Sequence, residues 1–381
     1  MKPSPHPRSL SRLFFASLLL SASWLSACDS PDQGTAGMCM AKPDMTAPQC
    51  QPQSGNPASC GCSNDDYAPR FNSSKNDTWP ACAADAGLVR LIGPSLPASA
   101  SRSVALDAIA GKLWRRVGVP APADFTSARD DYSIMEGIGS RVARRQDVHY
   151  PELPGDDKFA CSVPATAAMF PDRCFAPARL KPILDDAFAM GQAGTKPLVQ
   201  AARIEAALLW FFYLSVGSEI WTCSFDDIED CDAAWGYFNG ARDRGQPIGL
   251  GAYFASLHQE TYDRGFDGVL AIHCWRELDA AMPSVCQTFY DRTQAQIDKP
   301  LTRGMALILR DRLGKLGGLS GEAQEAALTF INLLGGFLDR AARAIDVSRA
   351  DALKAQTSAQ SAAAVNVTSA QAAIDALFPC P

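Results

Sequence analysis

The stretch IEAALLWFFYLSVG, Ile204–Gly217, is apolar almost all the way round a helical wheel. A helix of that kind has no face to offer water, so it must lie inside a bundle or cross a bilayer. Its 14 residues fall short of the roughly 20 that hydrocarbon requires, and Glu205 stands near its start. The stretch predicts a buried core helix, and such a helix needs others wrapped around it.

The chain supplies them. Leu106, Ile109, Leu113 and Val117 recur at helical spacing and are closed by Gly118-Val119-Pro120. Ile134, Ile138 and Val142 form a second stripe, and Leu180, Leu184 and Phe188 a third. The segment from Gly251 to Met282 reads as one or two helices with a break near Gly265 and Gly268, and Leu301–Leu316 continues the pattern. Ser320 is placed to cap a helix whose face carries Leu328, Ile331, Leu334, Leu338 and Ile345. Gly335-Gly336 inside it predicts a kink or a close crossing, and Thr368 with Gln371 forms a capping box for a last short helix. Strand-like alternation is nearly absent. The expected class is all-α, a bundle of about eight to ten helices over residues 83–381, with length enough to divide into two bundles. EAALLWFFYL from Glu205 and EAALTFINLL from Glu325 share five of ten positions, an echo that Ala/Leu-rich helices also produce by chance.

Ahead of that body the composition changes. Lys2, Arg8 and Arg12 precede an apolar run, Leu13–Leu25, which ends in Leu25-Ser26-Ala27-Cys28. A cationic start and an apolar core of that length are those of a signal peptide, residues 1–27. The four closing residues resemble the lipobox of bacterial lipoproteins. The resemblance implies cleavage before Cys28 and acylation at that residue, which would hold the protein in the cell envelope by its acyl chains. It leaves open the periplasmic face of either membrane or the cell surface. Residues 28–82, rich in Pro, Gly and Ser, read as a tether with a disulfide-rich segment and little core of its own.

Removing residues 1–27 leaves 32 basic against 41 acidic side chains and moves the net charge from −6 to −9. An acidic chain without a basic patch argues against nucleic acid as a partner. A protein or small-ligand partner remains open.

The 13 cysteines become 12 once Cys28 is acylated, an even number suited to pairing in an oxidising compartment. Near neighbours in the body are Cys161 with Cys174, Cys223 with Cys231, and Cys274 with Cys286. Cys380 is then left to cross-link with the N-terminal segment, which holds Cys39, Cys50, Cys60, Cys62 and Cys82.

Chemistry is harder to find. Asp226, Asp227, Glu229, Asp230 and Asp232 make a poor calcium loop, since alternate positions include Ile228 and no Gly follows before Gly236. Asp230 and Asp232 are better placed to start the helix that begins DAAWGYF. His258 with Glu260, and His273 with Glu277, are the remaining ligand-like groups for a divalent metal or iron; the last two share a helical face. With His6 lost, His149 is the only other histidine of the mature chain. No G-x-S-x-G elbow, Walker A sequence, H-E-x-x-H or C-x-x-C-H motif occurs.

DAAWGYF, Asp232–Phe238, resembles a signature in a group of helical bacterial envelope lipoproteins of unassigned function, remotely similar to the imelysin-like proteins linked to iron uptake. The resemblance implies a helical envelope fold. The histidines that precede the signature in that group are replaced here by DIEDC, and the imelysin-like G-x-H-x-x-E motif is missing. The leading expectation is a lipid-anchored helical binding or scaffold protein without catalytic activity. A metal-related imelysin-like protein using His258, Glu260, His273 and Glu277 is the alternative, and an envelope hydrolase the weaker one.

Overall fold

The computed structural model describes residues 89, 91–155, 160–223, 229–281 and 287–379, with backbone alone at 274–275, 277–281, 287–289 and 292. Among these residues the chain is all-α and has no strand. In order the helices are α1 (Ala98–Leu113), α2 (Pro122–Ser133), α3 (Ile138–Val142), α4 (Pro164–Met169), α5 (Lys181–Gln192), α6 (Pro197–Cys223) and α7 (Glu229–Asn239). They continue with α8 (Gly249–Leu257), α9 (Gln259–Ala281), α10 (Gln287–Leu316), α11 (Gly321–Ile345), α12 (Val347–Thr357) and α13 (Val367–Leu377). The described helices outnumber the eight to ten expected because α3 and α4 have only five and six residues and because α2 and α12 carry no strong apolar stripe.

The predicted core helix is α6. It is long and apolar enough to cross a membrane by composition, yet 94% of its most apolar window is buried inside protein. Helices α5, α7, α10 and α11 pack around it. One contiguous apolar core runs from Val89 to Phe378, with Trp210, Phe211 and Phe212 of α6 among its fully buried side chains. A smaller cluster forms around Cys161, Ala167 and Cys174.

Several boundaries differ from the pattern in the sequence. Helix α1 stops at Leu113, so Val117 lies beyond it and is 99% exposed. Ile134 ends α2 rather than joining the stripe of Ile138 and Val142, and it too faces solvent. Ile345 is exposed at the end of α11. The last helix is capped by Asn366, whose side chain accepts the Ser369 amide, and not by Thr368.

Nor does α9 break at Gly265 and Gly268. Both glycines lie inside a continuous helix and allow close approach instead: a Cβ on Gly268 would sit 2.6 Å from Ile297 Cβ of α10, and one on Gly265 2.7 Å from Phe238 Cζ of α7. Gly335 likewise makes room for Thr357, so it serves a close crossing with α12 inside a continuous helix, whereas a Cβ on Gly336 would meet nothing within 4 Å.

Candidate functional site

Glu205 has the largest consequences of any polar residue in α6. It sits about two turns inside an apolar helix and is only 2% exposed. An acid so placed must be paired and hydrogen-bonded or it would be costly. Its Oε2 accepts from Arg312 Nη2 of α10 at 2.8 Å, and its Oε1 accepts from the Tyr253 hydroxyl of α8 at 3.2 Å. The Tyr253 oxygen in turn accepts from Trp114 Nε1, at the end of α1, at 2.6 Å. Helices α8 and α10 thus meet α6 on one carboxylate, and the residue that follows α1 joins them through Tyr253.

These groups line a cavity of about 240 Å³. Leu257 and Ile308 add apolar wall, and Arg115, Asp311 and Lys315 stand with them in the lining. A second hollow of about 560 Å³ adjoins it, bounded by Arg312, Lys315, Gly314, Gly318 and Leu319. The Arg312 guanidinium lies 4.1 Å from the Phe330 ring centroid, and that of Arg115 4.5 Å from the Tyr253 ring. Such stacking holds a guanidinium in a fixed plane.

Electrostatics hold Tyr253 and Arg312 in their protonated forms. Enclosure of the Tyr253 phenol, and then the Glu205 charge beside it, raise its pKa well above the ordinary tyrosine value, so it stays a donor. Burial alone would lower the Arg312 guanidinium, but Glu205 more than reverses this and holds it above its usual range.

The residues singled out in the sequence lie elsewhere. Asp232 does stand in the first turn of α7, together with Glu229 and Asp230. Its carboxylate, however, caps another part of the chain. It accepts from the amides of Ile92 at 3.0 Å and Gly93 at 2.8 Å, and faces His273 Nε2 at 2.9 Å. His273 is fully buried, and its Nδ1 lies 2.8 Å from the Val269 carbonyl. Both ring nitrogens and both carboxylate oxygens are engaged, so the pair is a closed joint between α7, α9 and the incoming chain.

His258 ends α8 and precedes α9, where its Nδ1 accepts the amide of Thr261 at 3.2 Å. It acts as the N-cap of α9. His273 lies 15 residues further on, about 20 Å along a helix, so the two histidines do not converge. Glu260 is in the first turn of α9, and the Glu277 side chain lies outside the described residues. Among the described residues no group of three or more His, Cys, Asp or Glu side chains gathers as a metal would require.

Cys161 and Cys174 are disulfide-bonded with Cα atoms 5.3 Å apart, and Cys223 and Cys231 with Cα atoms 5.2 Å apart. The second bridge joins the last residue of α6 to the first turn of α7, closing the acidic loop. Cys28, Cys286, Cys380, Asp226 and Asp227 fall outside the described residues, as does the side chain of Cys274. Trp235, Tyr237 and Phe238 of the DAAWGYF stretch are buried in the core, and a Cβ on Gly236 would collide with Ser99 of α1.

A third polar cluster surrounds His149. Its Nδ1 lies 2.7 Å from Asp147 Oδ1 and its Nε2 3.2 Å from Asp298 Oδ1 of α10, while the ring stacks on Tyr213 of α6 at 5.9 Å. Burial works against the charged ring, but the two carboxylate hydrogen bonds prevail and raise its pKa to about 9. The carboxylates approach opposite edges of the ring, an arrangement that holds an imidazolium and not a metal.

Sequence reading missed Trp114, Arg115, Tyr253 and Arg312 altogether. The one available signal was Glu205, an acid without a reason to interrupt an apolar helix. No family model matches the chain, and no curated protein or solved structure shows significant similarity to it.

Proposed function

We propose that the chain is a lipid-anchored, disulfide-stabilised helical binding protein of the bacterial cell envelope, tethered through Cys28, with the Glu205 cavity as its ligand site. One observation carries the ligand half of this reading: a buried carboxylate, held by Tyr253 and Arg312, forms part of a cavity wall. A buried ion pair contributes little net stability compared with apolar packing of the same volume. Its presence beside a cavity favours a role in recognition.

The anchor is supported by the lipobox-like sequence at Leu25–Cys28. Feeding cells a radioactive fatty acid should label the wild type and not Cys28→Ala; equal labelling of both sinks the anchor. For the ligand, Ser256→Trp would place an indole among the cavity's lining residues. Native mass spectrometry of protein taken from its own envelope should show a small-molecule adduct on the wild type that the variant lacks. Identical spectra for the two, loaded or empty, would remove the cavity from the reading.

A further inference from the structure

We infer that the Glu205 cavity selects a small organic carboxylate with an apolar body; this rests on the reading of that cavity as a ligand site. The argument begins with an inventory of donors and acceptors. Both Glu205 oxygens are taken, by Tyr253 and by Arg312. Asp311 holds Lys315 at 2.6 Å, and the Ser256 hydroxyl donates to the Tyr253 carbonyl at 2.9 Å. The lining sets three cations, Arg115, Arg312 and Lys315, against the two carboxylates, so a cationic ligand would add to a positive surplus.

Donors are in surplus. A guanidinium carries five N–H groups, and Arg312 gives one to Glu205 while stacking on Phe330. Arg312 lines both hollows, so its remaining edge is available to a ligand. Arg115 lies over the Tyr253 ring and pairs with Asp107 at 2.7 Å in a solvent-exposed bridge. The Lys315–Asp311 bridge is exposed as well. Exposed bridges are weak, so these cations can turn to a ligand anion while Glu205 keeps Arg312 in place. A planar fork fixed by stacking matches a carboxylate with two parallel hydrogen bonds.

The rest of the ligand follows from the walls. Trp114, Leu257 and Ile308 offer an apolar surface, and about 240 Å³ is below the ~300–1,000 Å³ range of sites for drug-sized molecules. Three cations against two carboxylates leave the lining with a surplus of one positive charge, so a single negative charge suits the site better than a dianion.

The test uses benzoate, benzyl alcohol, benzylamine and inorganic phosphate as probes against the full mature chain, with binding read by isothermal titration. Benzoate should bind about tenfold more tightly than each of the others, the size of effect expected for a charged hydrogen-bonded contact. Arg312→Lys keeps the charge but loses the fork and should weaken benzoate by a similar factor. Should that variant fail to fold, Arg115→Gln at the exposed edge should still weaken benzoate severalfold. Benzyl alcohol or benzylamine binding as tightly as benzoate, and displaced by Ser256→Trp, overturns the carboxylate class and leaves the cavity a ligand site. Phosphate matching benzoate overturns the requirement for an apolar body. No binding by any probe overturns both.

Discussion

Glu205 and Glu325 open the two echoing stretches, EAALLWFFYL in α6 and EAALTFINLL in α11, and the fold puts them in opposite surroundings. Glu325 is exposed and pairs directly with Lys196 at 2.5 Å. Glu205 is enclosed and pairs with Arg312. Arg312 also lies on Phe330, which occupies in the second stretch the place that Trp210 holds in the first. One guanidinium therefore touches both segments. Both stretches form helix, and position in the bundle decides whether the acid is solvated or becomes the polar wall of a cavity.

The comparison can be broken at either end. Glu205→Leu leaves Arg312 without its acid, and loss of one member of a buried pair costs about 3 kcal/mol. Urea unfolding should show that loss, and adding Arg312→Met should bring stability back to within ~1 kcal/mol of wild type. A double variant as unstable as the single one would show that the pair itself holds α6 to α10.

The His149 cluster sharpens the contrast, because Tyr213, on which the ring stacks, corresponds to Leu333 in the echo and so marks another polar use of α6 alone. With a folded pKa of about 9 against roughly 6.5 unfolded, the group stabilises fully below about pH 6.5, and this contribution fades as pH rises through 9. After allowance for partial exposure the effect is about 2 kcal/mol. Unfolding measured between pH 6 and 10 should show it, and His149→Gln should flatten that part of the profile. A profile unchanged in the variant would remove His149 as the cause.

The smallest effect belongs to Glu325→Ala. An exposed pair contributes at most ~0.5 kcal/mol, and raising the salt concentration should abolish even that. A loss near that of Glu205→Leu would erase the distinction between the two stretches.

Much of the fold was legible because burial leaves a periodic trace. Leu106, Ile109 and Leu113 recur at helical spacing and are buried, and the all-round apolar stretch of α6 has no other place to go. Helix ends were less legible. Val117 and Ile134 continue a spacing but face water, since a period says where a face points and not where the helix stops. The glycines of α9 look like breaks in one dimension, and only the approach of Phe238 and Ile297 shows them to be contact points. The candidate site left almost no trace. Trp114, Glu205, Tyr253 and Arg312 come from four separate parts of the chain, and no spacing in the sequence relates them.

The acidic stretch before DAAWGYF makes the same point from the other side. Its density of carboxylates suggests a site or a helix start; Asp232 does stand in the first turn of α7, and it also forms a sealed link to Ile92, Gly93 and His273.

By itself the sequence determined the all-α class and the burial of α6, because hydrophobic periodicity acts locally and needs no knowledge of partners. It placed Cys161 near Cys174 and Cys223 near Cys231 along the chain, and a short loop brings such neighbours together cheaply. Which acid is sealed, which is solvated and which faces a cavity was decided only by the tertiary structure. Those outcomes depend on residues more than a hundred positions apart, as Glu205 and Arg312 are, and the free energy of a buried charge is set by whatever helix packing places beside it.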